Sequence, residues 1–319
     1  MDKILEEIGS FGIVPVIVIS DASDALPLVQ ALKDGGLPVA EVTFRTNAAR
    51  EAIENISKNF PDMLLGAGTV LSIEQVKTAI DAGAKFIVSP GFNRKVVEFC
   101  LSNNIPITPG IVTPTEIECA LQYELEVVKF FPAELMGGIN YLKAIAAPFN
   151  TLKFIPTGGI NEHNLLDYLR FPKVLACGGS WMINSELITA KKFDEITKLT
   201  LKAVGQMLGF SIRHFGINCN STNESLLLAR EIASIFNLPL KEGLGSNFIG
   251  NEIELLKKNY LGQHGHIAVG TNFIERAVLH FERKGYHFNS QSANYKEGKL
   301  QSIFFESEFA GLTWHLIQN

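Results

Sequence analysis

A lysine inside an apolar run is the residue of this sequence with the clearest capacity for chemistry. The run Val127–Phe131 is apolar except for Lys129 and ends at Pro132, which is typical of a short buried strand. A buried ammonium group without a partner is costly, and a lysine in such a place commonly gives up its proton and becomes a nucleophilic amine. Schiff-base catalysis requires such an amine. Alternatively, Lys129 lies at a strand end and extends its ammonium group to water.

Length and composition limit the kinds of protein that this sequence can encode. A chain of 319 residues predicts one large domain and one smaller domain. With 46% hydrophobic and 19% charged residues and a net charge of -5, it is an ordinary globular protein without a nucleic-acid partner. Met1–Glu7 is acidic where a signal peptide is cationic, and no run approaches the ~18 apolar residues of a membrane span, so we expect no membrane association and a cytoplasmic location. The four cysteines are widely spaced, which predicts free thiols.

Strand-like and helix-like segments alternate over residues 1–208. Eight apolar strands are predicted, at Gly12–Ile19, Val39–Phe44, Leu64–Val70, Phe86–Pro90, Ile105–Gly110, Val127–Pro132, Leu152–Thr157 and Val174–Cys177. Amphipathic helices lie between them, and the last is predicted at Phe193–Leu208. Continuous apolar strands that alternate with helices indicate an α/β protein with a parallel sheet, and eight such units predict a (β/α)8 TIM barrel. An open doubly wound sheet is the alternative.

Polar residues and glycines cluster at the carboxyl ends of these strands. Active sites of barrels lie at that end, and the loops after strands seven and eight commonly bind phosphate. Both loops contain a glycine pair, Gly158–Gly159 and Gly178–Gly179, whose N–H groups could approach an anion closely. Glycine pairs also form ordinary turns and helix starts, which leaves two interpretations open. The other candidate site residues at these ends are Glu41, Arg45, Thr69, Pro90, Phe131, Thr157 and Ser180.

Six motifs carry a resemblance to a known family. They are Glu41–Thr46, Gly66–Val70, Val88–Gly91, Lys129–Glu134, Pro156–Ile160 and Gly178–Trp181. Through them, residues of about 1–208 resemble the class I 2-keto-3-deoxy-6-phosphogluconate (KDPG) and 4-hydroxy-2-oxoglutarate (KHG) aldolases. The resemblance implies that Lys129 forms the Schiff base and that Glu41 transfers protons. It also implies roles for the remaining candidates: Arg45 and Thr69 hold the substrate carboxylate, Pro90, Phe131 and Thr157 shape the pocket, and both glycine pairs with Ser180 hold phosphate.

The chemistry of such an aldolase agrees with these residue types. An amine must add to the C2 carbonyl, and a carboxylate must move protons, which are roles suited to Lys129 and Glu41. The planar guanidinium of Arg45 suits the carboxylate of a 2-oxo acid, although an ion pair between Glu41 and Arg45 is an alternative. The aldolase requires no metal and no organic cofactor, and the expected partner is a small 2-oxo acid. A non-catalytic sugar-acid-binding regulatory protein is the rival hypothesis.

One position departs from the pattern of the family. Some members carry Arg or Lys at the end of the first strand, where it can reach the phosphate, whereas this chain has Ser20 there. The choice of substrate therefore stays open. Besides KDPG, the alternatives are an unphosphorylated substrate such as 4-hydroxy-2-oxoglutarate and another 2-keto-3-deoxy sugar acid. The resemblance further implies a homo-oligomer, namely a trimer.

Two similar segments follow residue 208. His214–Cys219 precedes a predicted helix at Glu224–Phe236, and His266–Thr271 precedes one at Ile274–Lys284. Strand-like stretches come after each helix, at Ser246–Leu256 and at Leu300–Leu316. This duplicated βαβββ pattern predicts a smaller α+β domain at residues 209–319 and resembles the glyoxalase/bleomycin-resistance, or vicinal-oxygen-chelate, superfamily.

That second resemblance implies a divalent metal held by one residue from each of four strands. The residues at these positions are His214, Glu254, His266 and His315. The last position is commonly Glu in the superfamily, yet His315 remains a competent ligand. Three histidines and one glutamate suit zinc, iron, nickel or manganese. The alternative is a set of strand-end histidines in an accessory domain kept for oligomerisation or regulation.

Overall fold

The chain divides into two compact units, each with its own sheets. The structure is a computed structural model that describes residues 1–319, and the units are Met1–Met207 and Leu208–Asn319. None of the helices combines the length and the apolar character that crossing a membrane requires.

The first unit contains short parallel strands. They are β1 (Ile13–Ile17), β2 (Val39–Thr43), β3 (Leu64–Gly68), β4 (Phe86–Val88), β5 (Ile107–Thr108), β6 (Gly110–Ile111), β7 (Val127–Phe130), β8 (Lys153–Pro156) and β9 (Cys177–Gly179). Strand β1 pairs with β2 on one side and with β9 on the other. Single bridges join Phe154 to Val174 and Thr157 to Gly178. The parallel sheet is therefore curled, and its last strand returns to its first.

Helices alternate with these strands. They are α1 (Lys3–Phe11), α2 (Ala25–Asp34), α3 (Ala49–Asn59), α4 (Ile73–Asp81), α5 (Arg94–Ser102), α6 (Pro114–Gln122), α7 (Gly138–Ala146), α8 (Leu165–Leu169), α9 (Ser185–Thr189) and α10 (Phe193–Leu208), with a short 3-10 helix at Ala22–Asp24. Local sequence explains several of the starts. Before α6, for example, the Thr113 side chain and Glu116 form a reciprocal capping box, and Pro114 occupies the first helical position.

All eight predicted strands differ from the observed ones in their bounds, and two of them differ in more than length. The fifth strand, predicted at Ile105–Gly110, is divided into β5 and β6 by Pro109, which has no N–H group for the hydrogen-bond ladder. The eighth, predicted at Val174–Cys177, is Cys177–Gly179. Gly178 and Gly179 therefore lie inside a strand that pairs with β1, and not in the loop that follows it.

The second unit contains the same pattern of elements two times. Its elements are β10 (Ser211–Asn218), α11 (Thr222–Phe236), β11 (Leu240–Glu242), β12 (Ser246–Ile249), β13 (Ile253–Leu256), β14 (Gly265–Thr271), α12 (Ile274–Glu282), β15 (Phe288–Lys296), β16 (Lys299–Phe309) and β17 (Leu312–Gln318). Together the strands form one sheet in the order β11-β12-β13-β10-β14-β17-β16-β15. Strands β10 and β14 pair antiparallel at its centre, and each has a parallel neighbour, β13 and β17 respectively. The two halves of the sheet are thus arranged alike about its centre.

Candidate active site and candidate metal centre

Lys129 and Glu41 face each other inside the first unit. Lys129 lies on β7 and is 6% exposed, whereas Glu41 lies on β2 and is 3% exposed. The distance between Lys129 Nζ and Glu41 Oε1 is 3.3 Å. The ammonium group therefore has a buried carboxylate partner and does not extend to water. The ion pair of Glu41 is made with Lys129, and not with Arg45.

Gly68 on the neighbouring strand makes room for this pair. Gly68 is the register partner of Thr43 on β2, and a Cβ atom at Gly68 would lie only 2.0 Å from Glu41 Oε1. Real Cβ atoms essentially never approach another atom so closely. Only a glycine at position 68 therefore lets the Glu41 side chain keep its contact with Lys129. Periodicity alone gives no role for Gly68, although a glycine inside a buried strand signals a close approach of another group.

A small, mostly apolar cavity borders the pair. Its lining consists of Glu41 and Lys129 with Ile8, Val14, Phe86, Val88, Thr108, Ile155 and Thr157. The centroid of the Phe131 ring lies 5.3 Å from Lys129 Nζ. Apolar walls exclude water and strengthen electrostatic interactions between the groups they enclose. Thr108, which belongs to none of the motifs named above, is a buried polar group of this lining.

Arg45 and Thr69 lie together just beyond the ends of β2 and β3. Arg45 Nε donates a hydrogen bond to Thr69 Oγ1 at 3.3 Å. Thr69 has a φ of 56°, in the left-handed region that is uncommon for any residue other than glycine. Pro90, the remaining candidate of this group, lies between β4 and α5 and is partly exposed.

The two glycine pairs differ in their surroundings. Gly158 and Gly159 follow β8 and both have positive φ angles, 96° and 84°. Gly178 and Gly179 are buried in β9, where a Cβ atom at Gly178 would lie 2.4 Å from Thr157 Oγ1. Ser180 is exposed after β9, beside a cleft that is also lined by Val16, Val18, Trp181, Ile183, Asn184 and Ser185. The first pair thus forms a turn, whereas Gly178 of the second pair leaves space for the Thr157 hydroxyl group.

Comparison with known proteins identifies the family. Residues 4–199 match the family model of the KDPG and KHG aldolases. This chain belongs to that family. It is 50% identical over 210 residues to a 2-dehydro-3-deoxy-phosphogluconate aldolase of Treponema pallidum, covering 65% of this chain and 100% of the relative. It is also 44% identical over 192 residues to a KHG/KDPG aldolase of Escherichia coli, covering 60% and 90% of the two chains. The resemblance predicted from the six motifs is confirmed over the matched residues.

Solved structures of aldolases share the fold. A KDPG aldolase of Legionella pneumophila is 41% identical, with a TM-score of 0.61 over 62% of this chain and 97% of its own. In that structure, pyruvate is captured as a covalent carbinolamine. The enzyme of Zymomonas mobilis with 3-phosphoglycerate is 36% identical, with a TM-score of 0.59 over 63% and 94% of the two chains.

The four predicted metal ligands converge in the second unit. His214, Glu254, His266 and His315 lie on β10, β13, β14 and β17, which are adjacent strands of the sheet. The Nε2 atoms of His214 and His266 are 3.1 Å apart, and Glu254 Oε2 lies 3.3 Å and 3.2 Å from them, respectively. The ligand atoms of the three histidines all lie within 4.8 Å of one another.

The protonation states of Glu254 and His315 are those that metal binding requires. Burial opposes ionisation of Glu254, but hydrogen bonds from His214, His266 and Ser246 outweigh it and lower the pKa of the carboxyl group well below its usual range. Burial, reinforced by His266 and His214, lowers the pKa of His315 to about 3. Glu254 is therefore ionised and the His315 ring neutral near pH 7, and these are the forms that bind metals.

His315 supplies an independent observation about this cluster. Its side chain is buried, yet neither of its ring nitrogens has a hydrogen-bond partner. The Phe304 ring stacks on it at a centroid distance of 4.2 Å and an interplanar angle of 10°. Buried polar atoms without partners are costly, and a metal ion would satisfy one of these nitrogens. Gly216, unnoticed in the sequence, leaves room for the His266 ring, because a Cβ atom there would lie 2.0 Å from its Cε1 atom.

Proposed function

We propose that residues 1–208 form a Schiff-base (class I) aldolase, a lyase that cleaves a 4-hydroxy-2-oxo acid to pyruvate and an aldehyde. The observation that carries the proposal is the buried Lys129–Glu41 pair, with 3.3 Å between amine and carboxylate. Membership of the KDPG and KHG aldolase family supports it. We further propose that the curled parallel sheet is a closed (β/α)8 barrel and that the enzyme is cytoplasmic and trimeric, as the family resemblance implies.

The first half of the reaction forms an electron sink. Lys129 passes a proton to Glu41, and the free amine adds to the C2 carbonyl of the substrate to give a carbinolamine. Glu41 returns a proton to the departing hydroxyl group, water leaves, and an iminium ion remains on Lys129. The buried contact between the two groups lets one carboxylate serve in both steps.

The second half breaks the carbon–carbon bond. Glu41, now ionised, removes the proton of the C4 hydroxyl group, directly or through water. The C3–C4 electron pair then flows into the iminium ion, so that an enamine forms and the aldehyde leaves. Protonation of the enamine at C3 by Glu41, followed by hydrolysis of the imine, releases pyruvate and regenerates Lys129.

The proposed substrates are KDPG, which yields glyceraldehyde 3-phosphate, and KHG, which yields glyoxylate. In this proposal Arg45 and Thr69 bind the carboxylate beside the 2-oxo group, while both glycine pairs, with Ser180, face the distal end. Relatives named for both substrates support the pair. Because Ser20 brings no positive charge to the distal end, we include other 2-keto-3-deoxy sugar acids. A pyruvate-release assay over phosphorylated and unphosphorylated 2-keto-3-deoxy acids ranks these substrates.

Borohydride trapping with pyruvate tests the chemistry. Reduction should fix one pyruvate-derived adduct on Lys129, which peptide mass spectrometry locates, and the Lys129→Ala variant should acquire none. Lys153, whose Nζ atom donates to the Pro172 carbonyl group at 2.7 Å, is the matched control on the adjacent strand. An adduct on Lys153, or none at all, would contradict the proposal. The second outcome is the one expected of a non-catalytic sugar-acid-binding protein.

A second function is proposed for the C-terminal unit. We propose that residues 209–319 form a vicinal-oxygen-chelate domain with a divalent metal held by His214, Glu254, His266 and His315. The unpartnered ring nitrogens of buried His315 carry this proposal. When bound, such a metal supplies Lewis acidity at coordination positions left open to water or substrate. The alternative is an accessory domain kept for oligomerisation or regulation.

Metal analysis of the full-length protein separates these alternatives. After dialysis against zinc, iron, nickel or manganese salts, we expect about one equivalent of a divalent metal to be retained, and the His266→Ala variant should lose it. His163 is the control, because its side chain is exposed in the first unit. If wild-type protein retains no metal, or if both variants retain equal amounts, the accessory domain is the remaining explanation.

A further inference from the structure

Glu134 and Tyr168 form a hydrogen-bonded pair that the reaction above does not use. Tyr168, on α8, is fully buried, and its hydroxyl group donates to Glu134 Oε1. Glu134 ends the motif that contains Lys129, although its sequence context assigns it no role. The pair lies beside Gly138, where a Cβ atom would be 3.1 Å from Glu134 Oε1 and 3.5 Å from the Tyr168 hydroxyl oxygen.

The Glu134 side chain packs directly on the turn formed by Gly158 and Gly159. The backbone N–H group of Glu134 donates to the Gly158 carbonyl group at 3.0 Å. A Cβ atom at Gly159 would lie 2.6 Å from both Cβ and Cγ of Glu134. Glycine at position 159 therefore lets Glu134 approach, and Tyr168 fixes the end of the Glu134 side chain.

The Gly159 carbonyl group of the turn is held as well. The Gly159 carbonyl group accepts hydrogen bonds from the side-chain amides of Asn161 and Asn164, each at 3.1 Å. Both carbonyl groups of the turn are thus bound by the protein. Glycine has more conformational freedom than any other residue, and these hydrogen bonds restrict that freedom at Gly158 and Gly159.

We propose that Glu134 and Tyr168 are positioning residues that hold the Gly158–Gly159 turn for the distal anionic group of the substrate. The inference rests on the proposed aldolase function. Tyr168 remains a hydrogen-bond donor at every working pH, because burial, together with the bond to Glu134, raises its pKa. A rigid turn presents its backbone N–H groups to an anion without an ordering cost at the moment of binding.

Two reactions of the full-length protein separate this role from general folding. Cleavage of KDPG, or of KHG if that is the substrate cleaved, uses the distal anionic group. Exchange of the pyruvate methyl protons in D2O, followed by NMR, needs Lys129 and Glu41 but no distal group. The Tyr168→Phe variant should raise KM for cleavage about tenfold, the effect of losing one hydrogen bond to a charged group, and should leave the exchange rate within about twofold.

Companion variants complete the test. Glu134→Ala should raise KM like Tyr168→Phe, and Glu134→Gln, which keeps the shape and an acceptor oxygen, should restore most of the affinity. Tyr123→Phe is the matched control, because Tyr123 donates a similar hydrogen bond to Glu98 at 2.7 Å on the surface. An unchanged KM in the Glu134→Ala variant overturns the inference, and so does an equal loss of cleavage and exchange. If wild-type protein traps no pyruvate with borohydride, the aldolase proposal itself fails, and this inference fails with it.

Discussion

Replacement of Gly68 by alanine tests how closely Glu41 must be placed. The added Cβ atom would lie 2.0 Å from Glu41 Oε1 and 2.6 Å from its Cδ and Cγ atoms, whereas ordinary van der Waals contact begins at 3.4 Å. The carboxylate oxygen must therefore move by about 1.4 Å if the strand does not. That shift is large beside the present distance of 3.3 Å between Glu41 Oε1 and Lys129 Nζ.

The expected loss follows from the distance moved. Misplacement of a reacting group by about 1 Å can cost ~10²-fold in rate. We expect Gly68→Ala to lower kcat for pyruvate release by about that factor, with a much smaller change in KM, because Arg45 and Thr69 keep their contact. Overpacking should also lower the free energy of unfolding by about 1–3 kcal/mol. Pyruvate release coupled to lactate dehydrogenase measures the first effect, and urea denaturation measures the second.

Gly205 offers a matched control on α10. A Cβ atom there meets no atom within 4 Å, and alanine is favoured over glycine in a helix. Gly205→Ala should therefore keep full activity and gain up to about 1 kcal/mol in stability. If folded Gly68→Ala protein keeps kcat within about threefold of the wild-type value, Glu41 does not need its present position. Its assignment as the proton-transfer group would then be refuted.

Two substitutions separate chemistry from binding, and a third tests a titration. Glu41→Gln should lower kcat more than it raises KM, because a proton carrier acts in the transition states, and an unchanged kcat would make Glu41 a binding residue. Arg45→Ala should chiefly raise KM for the 2-oxo acid in steady-state kinetics, through loss of a charged contact. Burial, aided by Lys284 and Arg283, lowers the pKa of His280 from 6.5 to about 4, so the unfolded chain binds more protons between these values. The free energy of unfolding should thus fall as pH drops from about 6.5 to about 4, and His280→Leu should flatten the decline measured by urea titration at several pH values.

Sequence patterns predicted those features that depend on periodicity. The alternation of apolar strands with amphipathic helices indicated the parallel sheet, and α10 was predicted with its observed bounds, Phe193–Leu208. Lys129 could be singled out because a charge inside an apolar strand demands a partner. After residue 208, both halves of the second unit show the same succession of strand, helix and strands.

Other features depend on distances between residues that are remote in the chain. Nothing in the run around Glu41 showed that its partner would be Lys129 and not Arg45, which is only four residues away. Ser246 lies eight residues before Glu254, yet its hydroxyl group donates to that carboxylate at 2.6 Å because β12 and β13 pair antiparallel. Such contacts depend on the register between two strands, and the periodicity of one strand does not show which residues of its neighbour it will face.

The reason for a glycine within a strand could not be predicted from the sequence pattern. The sequence pattern predicts Gly178 in a loop, whereas the structure places it in β9, where a Cβ atom would lie 2.4 Å from the Thr157 hydroxyl oxygen. Gly68 and Gly216 serve Glu41 and His266 in the same way, each at 2.0 Å. In all three cases, a side chain on one strand, or just after it, occupies the volume that a glycine of a neighbouring strand leaves empty. Because an alanine at any of these positions would still suit a β-strand, the requirement for glycine comes from the site and not from the backbone.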